Sequence, residues 1–432
     1  MIKVLHIANS DLKGGASRAA YRIHKCLVQY GDELGIDSHM RVMNKVSADA
    51  RVYGARPSGV SPIREFLRPR LNLRAYKGFK LGKPTSFSIA WPDTGLGKEL
   101  QQSDADIFNL HWLGNHTLSV EEIGRLQKPA VWRLADMWAF CGAEHYVTPP
   151  PAIDERFALG YTDSNRIASE KGKDLNKLTW ERKMKSWKQP MHIISPTNWL
   201  AGCVKRSVLM HDWPVTVIPT AVELDRWKPM DKSKVRYVLG LPADVPLVLF
   251  GAMGGTADPR KGGDLLFEAL EKLKAKVEGT PLAQLQIVVF GQDRPAKEES
   301  MSFPVHYTGH LNDDLSLSMY YAAADIMIVP SRQDNLPGTA LESLACGTPV
   351  AAFDIGGLPD IVDHQQTGWL AKPFDTDDLA AGIEWVLSDA HRYQSLSAQA
   401  RSIAVQKYHP HHIASQYAAV YQSVLEQSKP KK

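Results

Sequence analysis

Asp334 and Glu342 stand eight positions apart in the run PSRQDNLPGTALESLACGTPVAAFDIGGLPDIV, residues 330–362, and the residues around them spell a helix start. Pro337 presets φ for a first helical position, where its missing N–H costs nothing. Gly347 and Pro349 mark the helix end, because Gly accepts the left-handed conformation and Pro cannot continue a helix. The start offers open backbone N–H groups, those of Gly338 and Thr339, and a partial positive charge, which together seat a phosphate. A carboxylate on each side of a phosphate seat suits the hydroxyls of a sugar and of a ribose. The segment therefore reads as the donor site of a nucleotide-sugar enzyme. Glu342 has the apolar neighbours Leu341, Leu344 and Ala345, which puts it at a buried edge in need of a partner; an exposed helix charge is the plainer alternative.

Asp258-Pro259-Arg260-Lys261-Gly262-Gly263 follows a strand-like run ending at Gly251. A lysine at such a turn neutralises a departing diphosphate; a solvated basic turn is the competing reading. Gly14-Gly15-Ala16-Ser17 opens the first helix, where glycine lets backbone approach a ligand and a helix start favours an anion. The plain alternative is a loop with Ser17 as N-cap. This is not G-x-G-x-x-G, so a dinucleotide fold is poorly supported. His111 ends a strand in NLHWLGNH, and His145 lies in DMWAFCGAEHYV. Lone histidines are more often structural than functional. Met137, Trp138 and Phe140 form either an acceptor-stacking surface or core, and core is expected for at least two of them. Arg133 and Asp136 read equally well as an internal ion pair.

These residues need strands and helices to place them. Val4–Ala8, Ile36–Val42, Ile107–His111, Ala130–Leu134 and Met191–Ser195 read as strands of a first half, with a helix over Ser17–Tyr30. Leu247–Gly251, Leu285–Gly291, Val305–Gly309, Asp325–Pro330 and Val350–Asp354 repeat the pattern in a second half, before helices over Leu379–Leu387 and Arg392–Leu425. Alternating strands and helices indicate parallel sheets covered by helices. Two doubly wound α/β domains follow, with ligands expected at the carboxyl ends of their strands.

A chain of 432 residues is comfortable for two domains. Its net charge of +4 leaves no global nucleic-acid footprint. The four cysteines, Cys26, Cys141, Cys203 and Cys346, are widely spaced, which speaks against structural zinc and disulfides and for a reducing compartment. MIKVLHIANSD reads as a first core strand rather than a signal peptide, and no apolar run reaches the length of a spanning helix. Arg64–Lys83 holds seven basic residues against one acidic, interleaved with aromatic and leucine side chains. It fits peripheral contact with an anionic membrane surface, or a solvated loop.

The run from Asp334 to Glu342 resembles the Glu-x7-Glu signature of the retaining family 4 glycosyltransferases, with Asp in the first place. Its form DNLPGTALESLACGTPV is similar to the bacterial polysaccharide, colanic-acid-type branch. The resemblance implies the GT-B fold: an acceptor-binding domain over 1–215, a donor domain over 216–395 facing it across a cleft, and C-terminal helices over 396–432 returning to the first domain. It implies that Asp334 binds donor-sugar hydroxyls, Glu342 the ribose hydroxyls, Lys261 and Arg260 the diphosphate, and that Gly15 borders the donor. Gly14, His111 and Trp138 fall on the acceptor side. The family arginine past the strand glycine is Ala252 here, and its histidine is Ala135, so Asp136, His145 or His111 is left to fill that space. The usual Asn-Gly after Ile-Pro is Thr220-Ala221. The implied function is retaining hexosyl transfer from a nucleotide sugar to a glycan, expected to be lipid-linked, without metal or cofactor, in the cytoplasm with peripheral contact at the cytoplasmic face of the inner membrane. A nucleotide-sugar 2-epimerase and an inactive glycan- or transferase-binding scaffold are the alternatives.

Overall fold

A computed structural model describes residues 1–54, 79–80 (backbone only), 87–147, 154–251, 258–294, 302–311 and 313–429. The segment Arg64–Lys83 and the position Ala252 lie outside the described residues, apart from the backbone of Phe79–Lys80. Two compact units result: Met1–Thr220 with His411–Lys432, and Ala221–Pro410. The boundaries expected from sequence were 215/216 and 395/396.

The first unit is built on a seven-stranded sheet of β1 (Ile2–Ser10), β2 (Ile36–Asn44), β3 (Val52–Gly54), β5 (Ile107–Leu110), β6 (Ala130–Arg133), β8 (His192–Ser195) and β9 (Val215–Val217). The strand order is β3-β2-β1-β5-β6-β8-β9, and every pairing is parallel. A short antiparallel pair joins β4 (Phe79–Lys80) to β7 (Lys171–Gly172). The second unit holds β10 (Leu247–Gly251), β11 (Gln286–Phe290), β12 (Val305–Tyr307), β13 (Ile326–Val329), β14 (Val350–Phe353) and β15 (Gly368–Ala371). Its order is β12-β11-β10-β13-β14-β15, again all parallel. These are the two doubly wound sheets expected. In each, the order reverses beside the first strand, at β1/β5 and at β10/β13, and such switch points open a crevice for ligands.

The central strands read as near-continuous apolar runs because both faces are covered: β10 and β14 are buried throughout. The edge strands β3, β9 and β15 were not expected. They are three or four residues long and partly exposed, so they carry little apolar signal. The helical stretch expected over Arg392–Leu425 is two helices, Ala390–Tyr408 and Pro410–Gln427. Pro410 forces the preceding residue out of the helical region, and His409 sits at φ −60°, ψ 130°. The second of these helices belongs to the first unit, where the Tyr421 hydroxyl donates to Asn109 Oδ1 at 2.6 Å.

Candidate functional site

In the second unit the turn after β10 and the turn after β13 meet at the switch point. Asp258 caps a short 3-10 turn over Pro259–Lys261 by accepting from the Arg260 N–H at 3.0 Å. Gly262 follows with φ 69°, and a Cβ there would lie 1.9 Å from the Pro330 carbonyl oxygen; only glycine lets the turn close onto the end of β13. Lys261 Nζ then donates to Asp334 Oδ2 at 2.5 Å. Arg260 lies 3.7 Å from the same oxygen and donates to the Gln333 carbonyl at 3.1 Å. The Ser331 hydroxyl adds a second hydrogen-bond donor to Asp334 Oδ2 at 3.2 Å. Burial pushes the Asp334 carboxyl up, yet the Lys261 ammonium and Arg260 guanidinium outweigh it and hold the carboxyl below its ordinary value.

Behind Asp334, Gly356 adopts φ 56°, and a Cβ there would meet the Asp334 carbonyl oxygen at 2.2 Å. The Gly357 N–H donates to that oxygen at 3.1 Å. The Gly-Gly turn therefore braces the Asp334 backbone. Pro337 is the N-cap of the helix Gly338–Ala345, one place before its expected position, and no side chain caps the helix. The first N–H groups, Gly338 and Thr339 among them, therefore have no side-chain cap. Glu342 is buried, as its apolar neighbours imply, and the Tyr321 hydroxyl donates to its Oε2 at 3.1 Å. Tyr321 is itself packed edge-on between Trp227 and Phe290.

Three contributors escaped the sequence reading: Ser331, Tyr321 and Arg332. Arg332 grips Asp264 with two hydrogen bonds of 2.6 and 2.7 Å and donates to the Pro259 carbonyl, tying the two turns together. These contacts bridge some 70 positions of sequence, and no local spacing signals them.

In the first unit, the helix after β1 is Gly15–Gln29 with Gly14 as N-cap at φ 91°. Ser17 is not the cap; it is a buried residue of the first turn. A Cβ on Gly15 would meet nothing within 4 Å, so this helix start is open.

Asp136 and His145 are brought together, with Oδ2 and Nδ1 2.6 Å apart. Trp112 Nε1 donates to Asp136 Oδ2 at 2.8 Å and the Trp138 N–H to Oδ1 at 3.0 Å. His145 Nε2 is 2.8 Å from the Ser88 hydroxyl. The carboxylate and the Ser88 hydroxyl hold the imidazole at both ring nitrogens and so fix its orientation. The Asp136 side chain keeps 11% exposure and His145 only 1%, so the carboxylate is the end that reaches solvent. Arg133 is not its partner; it donates to Thr220 Oγ1 at 2.7 Å. This also accounts for Thr220, whose hydroxyl lies buried beneath that guanidinium.

The loop carrying these groups is anchored by a lysine that sequence reasoning passed over. Lys183 is fully buried, donates to the carbonyls of Trp138, Cys141 and Gly142, and lies 3.9 Å over the Trp138 ring. Burial pulls its ammonium down to about 7.

Met137, Trp138 and Phe140 are all buried, and Trp138 and His111 line only a void of about 10 Å³ beside the Asp136–His145 pair. That is room for a water at most, not for a sugar. His111 Nε2 instead meets His6 Nδ1 at 2.8 Å, and His6 packs edge-on against His24.

Burial drives all three of these rings below the ordinary histidine range, His24 down to about 4. They are neutral when folded and charge below about pH 6.5 when unfolded, so the unfolded chain binds more protons in acid. Stability is expected to be unaffected by them above that pH and to fall from there toward pH 4, approaching about 1.4 kcal/mol per pH unit for each ring. Urea midpoints measured from pH 7.5 to 4.5 check this, and His24→Gln should flatten the profile.

Residues 247–389 match the family model described as Glycosyl transferases group 1, and that stretch contains Lys261, Asp334 and Glu342. Two curated relatives are D-inositol 3-phosphate glycosyltransferases. That of Geodermatophilus obscurus is 34% identical over 203 residues, 43% of this chain and 42% of its own. That of Catenulispora acidiphila is 32% identical over 189 residues, 41% and 43%. The chain spans about half the length of the curated relatives it matches. Over nearly its whole length its structure is similar to three solved proteins. Sucrose-phosphate synthase of Thermosynechococcus elongatus has TM-score 0.66 and 17% identity, covering 99% of this chain and all of that one. Anabaena HepE in complex with UDP and glucose has TM-score 0.64 and 16% identity, covering 98% and 100%. WaaG, a glycosyltransferase involved in lipopolysaccharide biosynthesis, has TM-score 0.62 and 18% identity, covering 97% and 99%. The fold is GT-B, built of two Rossmann-like parallel-sheet domains. Among the described residues no three His, Cys, Asp or Glu are grouped to hold a metal ion, and no helix is long and apolar enough to cross a membrane.

Proposed function

We propose that this chain is a retaining glycosyltransferase that moves a hexose from a nucleoside diphosphate sugar to a glycan hydroxyl without a metal ion. The observation that carries the reading is the meeting of Lys261 and Asp334 at the β10/β13 switch point, next to an uncapped helix start that leads to a buried, hydrogen-bonded Glu342. The group 1 match over the same residues supports it.

In this reading the diphosphate lies on the Gly338–Thr339 N–H groups and takes its countercharge from Lys261 and Arg260. Glu342, oriented by Tyr321, accepts from the ribose hydroxyls, and Asp334 accepts from the donor sugar. As the sugar's anomeric carbon–phosphate bond breaks, the acceptor oxygen bonds to that carbon from the same face, and its proton passes to the departing phosphate. The protein's share is positioning and charge stabilisation. Gly15 borders the donor, and Gly14 and the Asp136 carboxylate are the acceptor-side groups. The acceptor is a glycan, lipid-linked and at the cytoplasmic membrane face, in surface polysaccharide synthesis. An inositol phosphate acceptor, the substrate in the relatives' name, is the competing outcome of an acceptor panel.

Calorimetric titration with UDP, GDP, ADP and a dinucleotide, each without added metal, tests the donor assignment. One diphosphate is expected to bind in the micromolar range, and binding of none sinks the reading. Glu342→Gln should weaken that nucleotide by about tenfold or more, the loss of a charge-assisted hydrogen bond. Asp334→Asn should leave nucleotide affinity intact and lower transfer. Unchanged transfer in both variants overturns the site assignment.

A further inference from the structure

A groove of about 420 Å³ opens on the first unit's sheet, away from the loop at the carboxyl end of β1. Its floor is the first residues of β1 and their neighbours on β2, in the register Lys3↔Asp37 and Leu5↔His39; its wall is the helix Leu96–Gln102 and the residues just after it. Tyr53, on β3, is 48% exposed. Its ring lies nearly parallel to that of His39, with centroids 5.6 Å apart and 13° between planes. The Tyr53 hydroxyl and His39 Nδ1 are 2.7 Å apart. His39 Nε2 in turn lies 3.1 Å from Asp37 Oδ1, which also accepts from Arg51 at 2.6 Å. Arg41 pairs with Glu99, and Lys3 with Asp104, each at 2.6 Å.

Every one of these cations faces an anion of the same groove, so the walls present no surplus charge to select an ionic ligand. What they present is an exposed aromatic face, held flat by its neighbour, beside carboxylates fixed by their partners. An aromatic face covers the C–H face of a sugar, and fixed carboxylates accept from its hydroxyls. The volume is that of a small-ligand site. We propose that this groove is a second carbohydrate-binding site, one that holds a neutral oligosaccharide. It does not depend on the transferase reading, since none of its residues serves the donor or the acceptor groups above.

Ligand-observed saturation-transfer NMR on the full chain tests it, with maltotetraose, cellotetraose and chitotetraose as neutral probes and a sulfated heparin tetrasaccharide as the ionic one. At least one neutral probe should bind in the millimolar range, about tenfold more weakly to Tyr53→Ala and within about twofold of wild type to Tyr53→Phe, which keeps the ring. Thermal melts establish that both variants fold. Tyr53 is an edge-strand side chain, and neither substitution should move the melt. The proposal is overturned if Tyr53→Ala weakens no neutral probe, or if the sulfated tetrasaccharide alone binds through Tyr53.

Discussion

Replacing Lys261 with alanine is expected to reduce hexosyl transfer by about 10²- to 10³-fold, the loss seen when one preorganised donor to a developing anion is removed. The same substitution also leaves the buried Asp334 carboxylate without its nearest cation, with Arg260 3.7 Å away as its remaining countercharge. Breaking a buried pair from one side destabilises by about 3–5 kcal/mol. A lower melting temperature in Lys261→Ala would therefore be no surprise and would not by itself explain lost transfer. The double variant Lys261→Ala, Asp334→Asn separates the two effects. It removes both charges, so stability should recover most of its loss, while transfer should remain at the level of the single lysine variant or below. Transfer that recovers along with stability would reduce Lys261 to a structural role.

Asp136→Asn is expected to lower transfer by about 10- to 100-fold with nucleotide affinity unchanged, the scale of one charge-assisted hydrogen bond to an acceptor hydroxyl. The amide keeps the shape, but its one oxygen can serve either the Trp138 N–H at the Oδ1 place or the Trp112 N–H and His145 at the Oδ2 place, and an NH2 at either place cannot accept. His145→Gln should have the smaller effect, because its ring is buried and holds the carboxylate from behind. Equal losses in both variants would mean that the pair acts as one proton-carrying unit. Steady-state transfer assays at saturating donor, with acceptor varied, read this as a rise in KM, a fall in kcat, or both.

Much of this was legible in the chain because the central strands and the Asp334–Glu342 helix are local patterns. Apolar runs of five residues and a Pro–Gly-bounded helix need no distant partner to be recognised, and the buried position of Glu342 followed from its three apolar neighbours. What was not legible depends on residues far apart in sequence. The Lys261–Asp334 pair and the Arg332–Asp264 clamp exist because parallel strands set adjacent turns side by side, and the Tyr321–Glu342 hydrogen bond because two helices, Asp314–Ala323 and Gly338–Ala345, pack together. Lys183 was invisible for a different reason: in a helix sequence as polar as LNKLTWERKMKS, one lysine turned inward looks like any other. His111 has the same ambiguity: a strand-end histidine beside a loop suits an acceptor site as well as it suits the buried stack with His6.

The helix Pro410–Gln427 lies with residues that were synthesised some 300 positions earlier, as the Tyr421–Asn109 hydrogen bond records. The second unit is continuous in the chain and the first is not. On the ribosome, then, the upstream unit is the one that finishes folding later. Its sheet waits, lacking one helix, while the downstream unit is made and closes on itself. Cutting the gene between the two sheets would accordingly leave an uncovered apolar face on both halves, on the upstream sheet and on the orphaned helix Pro410–Gln427 of the downstream half.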